Sequence, residues 1–152
     1  MNEDVLQYIW QTQAFKQENL QTVEHQRLQI LNPGKLNAAG GPDFSDARIK
    51  LDGMMWSGDV EIHSFASHWQ RHKHQDDANY DRVILHVVWE DDQQVIRSDG
   101  SVIPTVELKA HLSKDWYSRY QYLMNSLALV PCKSYLSHID PLLKTDSIAQ
   151  AL

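Results

Sequence analysis

Several things are scarce in this 152-residue sequence, and each scarcity closes off a class of function. There is one cysteine, Cys132. A disulfide framework is therefore excluded, and a reducing, cytoplasmic setting is expected. No run of about 18 apolar residues occurs, so no membrane-spanning helix is expected. The start, Met1-Asn2-Glu3-Asp4, is acidic where a secretion signal would be basic. No G-x-x-x-x-G-K-S/T loop, no G-x-G-x-x-G after a strand, no serine elbow and no C-x-x-C occur, which argues against phosphate-loop, dinucleotide, acyl-transfer and thiol-redox chemistry. Positive charge is short as well. Lys and Arg total 14 against 20 Asp and Glu, a formal net charge of −6. A nucleic-acid partner would have to be met through a local basic strip.

What is present is an ordinary globular composition, 42% apolar and 22% charged, in a length that suits one domain. Asp4 to Gln17 spaces Val5, Leu6, Ile9, Trp10 and Phe15 as an amphipathic helix would. Arg27 to Leu31 reads as a short strand stopped by Asn32-Pro33-Gly34, and Leu36 to Pro42 as a loop. Asp46 to Leu51 and Met54 to His63 alternate about Asp52-Gly53 and predict a hairpin. Its second strand sets Trp56, Gly58, Val60 and Ile62 on one face, with Asp59, Glu61 and His63 on the other.

Ser64 to Asn79 changes period and predicts a helix carrying Phe65, Trp69, His72 and Asp76 on one face. Arg82 to Trp89 is almost wholly apolar, as a central strand covered on both faces would be. Gln94 to Arg97 and Val102 to Leu108 suggest a second hairpin around Asp99-Gly100, with Pro104 marking an edge strand. A helix capped by Ser113 should then run through Trp116, Tyr120 and Leu127 to Pro131. The expected organisation is one mixed α/β domain over 1–130 and a helical extension over 131–152. The last helix, from Thr145, starts just before the chain stops, as in a piece of a longer protein.

The chemistry concentrates between Asp43 and His86. Glu61 and His63 are two apart on a strand and project to one face, and Asp43 stands at the mouth of the neighbouring strand. Two carboxylates and an imidazole suit Mg²⁺, Mn²⁺ or Zn²⁺. His68 and His72 are four apart, a zinc-pair spacing, without the glutamate of an H-E-x-x-H motif. On a helix His72 and His74 would point in different directions, so His72, on the Phe65 and Trp69 face, is the expected contributor. The plainer reading of Arg71-His72-Lys73-His74 is a solvated basic face. His86 is either a further ligand or a buried neutral histidine bonded to one partner.

Pro42-Asp43 followed by Glu61-Ile62-His63 resembles the signature of the PD-(D/E)xK nucleases, with histidine in the place of lysine. The predicted element order, α-β-β-β-α-β with an added hairpin and helices, is that of the restriction-endonuclease-like core. The resemblance implies that Asp43 and Glu61 bind Mg²⁺ or Mn²⁺, and that His63 positions or activates water. Lys73 would supply the missing positive charge. A zinc hydrolase using His63, His72 and His86 with Glu61 as base is an alternative, and a non-catalytic module with a degenerate nuclease-like fold is another. Val106-Glu107-Leu108-Lys109 also spells E-x-K but lacks an upstream Pro-Asp. The chain resembles an uncharacterised bacterial domain family more specifically. That resemblance rests on Asn32-Pro33-Gly34, Gly41-Pro42-Asp43-Phe44, Trp56 to His63, Trp69 to His74, Tyr80 and Val83 to Val88. It implies kinship with longer proteins and no particular reaction.

Overall fold

The computed structural model describes residues 1–125, which fall into two compact units, Met1–Ser113 and the unit beginning at Lys114. The first holds a mixed sheet, and its first helix, α1 (Glu3–Thr12), buries Leu6, Ile9 and Trp10 and packs on the strand that carries Glu61. Asn2 caps its start by accepting from Asp4 N–H at 3.2 Å. The helix stops well short of Gln17. Gln13 turns left-handed (φ 53°) and returns its backbone N–H to Ile9 and Trp10 carbonyls, satisfying the groups a helix end leaves open. Phe15 then folds back to stack on Trp10.

β1 (Leu28–Asn32), β3 (Phe44–Leu51) and β4 (Met54–Phe65) form an antiparallel meander, and the expected hairpin turns at Asp52-Gly53. β2 (Lys35–Leu36) adds a two-residue rung to β3, opposite Ser45 and Phe44, where the sequence reads as turn giving way to loop. It is too short to leave a pattern. Ala47, Ile49 and Leu51, alternate residues of β3, are buried. The far face of β4 is buried too: Asp59, Glu61 and His63 are each at most 8% exposed, whereas Trp56 remains 40% exposed.

β5 (Val83–Glu90) runs parallel to β4 and is buried on both faces through Val88, as a central strand should be. The crossover between them departs from the expected helix. α2 (His68–Arg71) is a single turn, followed by a left-handed Lys73 (φ 62°) and two short 3₁₀ turns, His74–Asp76 and Ala78–Tyr80. Between Trp69 and Tyr80 the chain offers nothing apolar of any size to bury, so tertiary packing cannot sustain a helix there. Trp69 and Tyr80 anchor the two ends of the segment edge-to-face, 5.7 Å apart, in a core with Ala66, Val83, Val88, Val95 and Ile103.

The second hairpin is reduced to a turn. Ile96 and Val102 form one isolated bridge, after which β6 (Thr105–Glu107) leaves to run parallel to β5 at the sheet edge. Pro104 has no N–H to give, and its carbonyl accepts from His86 N–H at 2.9 Å, which steers the chain onto β5. The overall strand order is β1-β3-β4-β5-β6 with β2 on β3. In the second unit α3 (Lys114–Met124) stacks Trp116 on Tyr120, four residues apart. Leu127, Pro131 and the helix expected from Thr145 lie outside the described residues. No helix among the described residues is long and apolar enough to cross a membrane.

Candidate metal centre

The carboxylate pair is made by a register shift. Phe44 pairs with Val60 but Ala47 pairs with Gly58, so β3 carries an extra residue between them, next to a left-handed Asp46 (φ 58°). Continuing the Phe44–Val60 register places Asp43 opposite Glu61; the Ala47–Gly58 register would have placed it opposite Ile62. The two side chains therefore share a face. Asp43 N–H donates to Glu61 Oε2 at 3.0 Å. The Asp43 carboxylate in turn accepts from Ile62 N–H at 2.9 Å and from the Gln7 amide of α1 at 2.8 Å. Burial, then the charge of Glu61, raises Asp43 to about 7, and burial also raises Glu61.

Above this pair sit five imidazoles. His63 is the hub, 2% exposed, with ring centroids of His68, His72, His74 and His86 at 5.0 to 5.9 Å. Its Nδ1 lies 2.8 Å from His86 Nε2 and its Nε2 lies 3.2 Å from His72 Nδ1. The same Nε2 is 3.4 Å from Glu61 Oε1, and His74 Nε2 is 3.3 Å from that oxygen, off the line of a hydrogen bond. His74 is held in place by stacking on Tyr80 at 3.8 Å. Burial, followed by the neighbouring imidazoles, lowers His63 to about 2, and burial lowers His86 to about 3. His72 is lowered as well, mainly by desolvation. Protons thus compete weakly for the ring nitrogens of His63.

His63, His72 and His74 each offer one nitrogen, and the three atoms lie within 4.8 Å of one another. Three neutral imidazoles suit a borderline-soft ion of the zinc class better than Mg²⁺. Glu61 contacts two of the three rings, those of His63 and His74, and a cation there would also relieve the cost of ionising the carboxylate pair.

Of the residues named from the sequence, Asp43, Glu61, His63 and His72 come together here. His86 meets the cluster from behind, touching His63 rather than the space the three rings share. Lys73 is exposed, and its ammonium forms no ion pair or hydrogen bond with either carboxylate. His74, set aside on helical geometry, is the residue the sequence reading missed. The left-handed Lys73 reverses the chain between His72 and His74, so residues that diverge on a helix converge here. The available signal was the His-Lys-His spelling itself in a segment with no apolar stripe. His68 is likewise drawn in, paired with Glu3 of α1 at 3.1 Å.

A family model for a protein of unknown function, DUF2851, matches residues 3–152. The chain belongs to that family. No curated protein and no solved structure matched it. The DUF2851 match spans the whole crossover segment and both carboxylates, so the cluster lies within the family domain and not in an appended segment.

Proposed function

We propose that this DUF2851 domain is a metal-dependent hydrolase of the phosphodiesterase type. His63, His72 and His74 hold a zinc-class ion, and Glu61, backed by Asp43, accepts a proton from the attacking water. The observation that carries this is the convergence of three imidazole nitrogens within 4.8 Å beside a buried carboxylate pair. A zinc-class ion lowers the pKa of bound water to about 7, and Glu61 Oε1, 3.3 to 3.4 Å from two of the ring nitrogens, is placed to take the proton. The phosphodiester assignment is supported by layout. An antiparallel β1-β3-β4 meander, a crossover and a parallel β5, with Asp43 leading β3 and Glu61-x-His63 on β4, follow the strand order expected of a restriction-endonuclease-like core, although the crossover holds one helical turn in place of a full helix. Arg71 and Lys73, both exposed beside His72, form the local basic strip that a nucleic-acid backbone would need.

Mg²⁺ or Mn²⁺ at Asp43 and Glu61 alone is the weaker version, because two donors already occupy the Asp43 carboxylate. A non-catalytic module is the second reading, favoured by the position of Lys73, which leaves the site without a fixed cation. The test is hydrolysis of a generic phosphodiester and of single- and double-stranded DNA, with Zn²⁺, Mn²⁺ or Mg²⁺ added to metal-stripped protein. Activity with Zn²⁺ or Mn²⁺ that falls at least 100-fold in Glu61→Gln is expected, the lower bound of the usual range for a general base. Tight metal binding with no turnover of any of these substrates selects the non-catalytic module. Undiminished activity in Glu61→Gln refutes the assigned role.

A further inference from the structure

We infer that His86 is a positioning residue whose buried ring accepts the Nδ1 proton of His63 and thereby points the Nε2 lone pair of His63 at the metal. This deepens the metal reading above and rests on it. Parallel pairing sets His86 beside Glu61 and His63 beside Val88, so His86 and His63 lie on one face of neighbouring strands, diagonal to each other. His86 is fully buried and His63 is 2% exposed, so neither ring can exchange its partner for water.

The atom assignments follow from the distances. The nitrogen of His63 that faces His72 and Glu61 is Nε2. For Nε2 to offer a lone pair, the single proton of the neutral ring must sit on Nδ1, and the acceptor within reach is His86 Nε2 at 2.8 Å. His86 must then carry its own proton on Nδ1, a buried atom with no hydrogen-bond partner, next to the Trp69 ring. That arrangement leaves an N–H unpaired. The opposite arrangement is better satisfied without metal: His86 Nε2–H donates to His63 Nδ1, and His63 Nε2–H donates to His72 Nδ1. Only an acceptor lone pair on His86 is then left over. Metal entry therefore reverses both tautomers with no change in net protonation of the pair. His63 and His86 are a two-ring relay, and His86 Nδ1, unpartnered in either setting, carries a proton only in the metal-loaded one.

The experiment compares Zn²⁺ affinity by competition titration in the full chain for wild type, His86→Leu, His86→Gln and His74→Ala. Long-range ¹⁵N–¹H spectra of the wild-type histidines, with and without Zn²⁺, accompany it. His86→Leu should weaken Zn²⁺ binding 10- to 100-fold, the usual loss for an outer-shell partner. His86→Gln should recover most of that loss, since its amide oxygen can accept from His63 Nδ1–H. The spectra should place both protons on Nε2 in the metal-free protein and on Nδ1 once Zn²⁺ is bound. Unchanged affinity in His86→Leu, or a His63 proton on Nε2 in the Zn²⁺ form, overturns the inference while leaving the metal site intact. Absence of Zn²⁺ binding to wild type, or binding unaffected by His74→Ala, overturns the metal reading and this inference with it. Should His86→Leu fail to fold, His86→Gln and the wild-type spectra still decide the matter.

Discussion

The sharpest consequence of the cluster is a metal-linked gain in stability that depends on His74. A ligand that binds only the folded state adds RT ln(1 + [L]/Kd), about 2.7 kcal/mol at 100 times its dissociation constant. For a chain of 152 residues each kcal/mol corresponds to roughly 3–4 °C, so Zn²⁺ at that concentration should raise the melting temperature by about 10 °C. His74→Ala removes one of three nitrogens that lie within 4.8 Å of one another. If affinity falls 100-fold, the same Zn²⁺ concentration only equals Kd, and the gain drops to about 0.4 kcal/mol, or 1–2 °C. His74 also stacks on Tyr80, so the metal-free variant should melt somewhat lower, and the quantity to compare is the Zn²⁺-induced shift within each protein. His25→Ala, at an exposed histidine outside the cluster, is the control and should keep the full shift. Scanning calorimetry of metal-stripped protein with and without Zn²⁺ measures all three. Equal shifts in wild type and His74→Ala, or none in wild type, refute the proposed ligand set.

Two further predictions concern acid stability and the left-handed bend. His63 and His86, lowered to about 2 and about 3, contribute stability that is present above their ordinary value near 6.5 and lost as pH falls, because the unfolded chain then binds protons the native one does not. Asp43, raised to about 7, and Glu61, also raised, act in the opposite sense. They take up protons in the native state between about pH 7 and the ordinary carboxylate range near pH 4, which offsets the histidines there. Asp43→Asn should therefore steepen the loss of stability between about pH 6.5 and 4 by at most about 1.4 kcal/mol per pH unit, read from urea melts; a slope equal to wild type sinks the argument. At Lys73 (φ 62°), Lys73→Gly should retain Zn²⁺ binding, whereas Lys73→Pro, locked near φ −65° and unable to make the 3.0 Å bond to Gln70 O, should abolish it. Zn²⁺ binding by the proline variant at wild-type strength would show that the bend does not assemble the site.

Much of the frame was legible in the residues themselves. Strand alternation predicted the hairpin about Asp52-Gly53, and the nearly all-apolar run around His86 predicted a central β5, because side-chain period and burial are local properties of a strand. The same alternation put Glu61 and His63 on one face, where they are found. Helix lengths were read less well. α1 ends where Gln13 caps it, and the Ser64 to Asn79 segment holds one helical turn, because a helix of this size persists only where a continuous face is buried.

The sequence by itself determined the Asp52-Gly53 hairpin, the central apolar strand and the donor inventory, since period, turn residues and donor chemistry are written residue by residue. Only the tertiary structure decided which donors meet. An extra residue in β3 sets Asp43 opposite Glu61, and a left-handed lysine folds His74 back beside His72. Parallel register slides His86 behind His63. Each is a single backbone event whose effect is felt many residues away, and each is fixed by packing across the sheet, which no local pattern encodes.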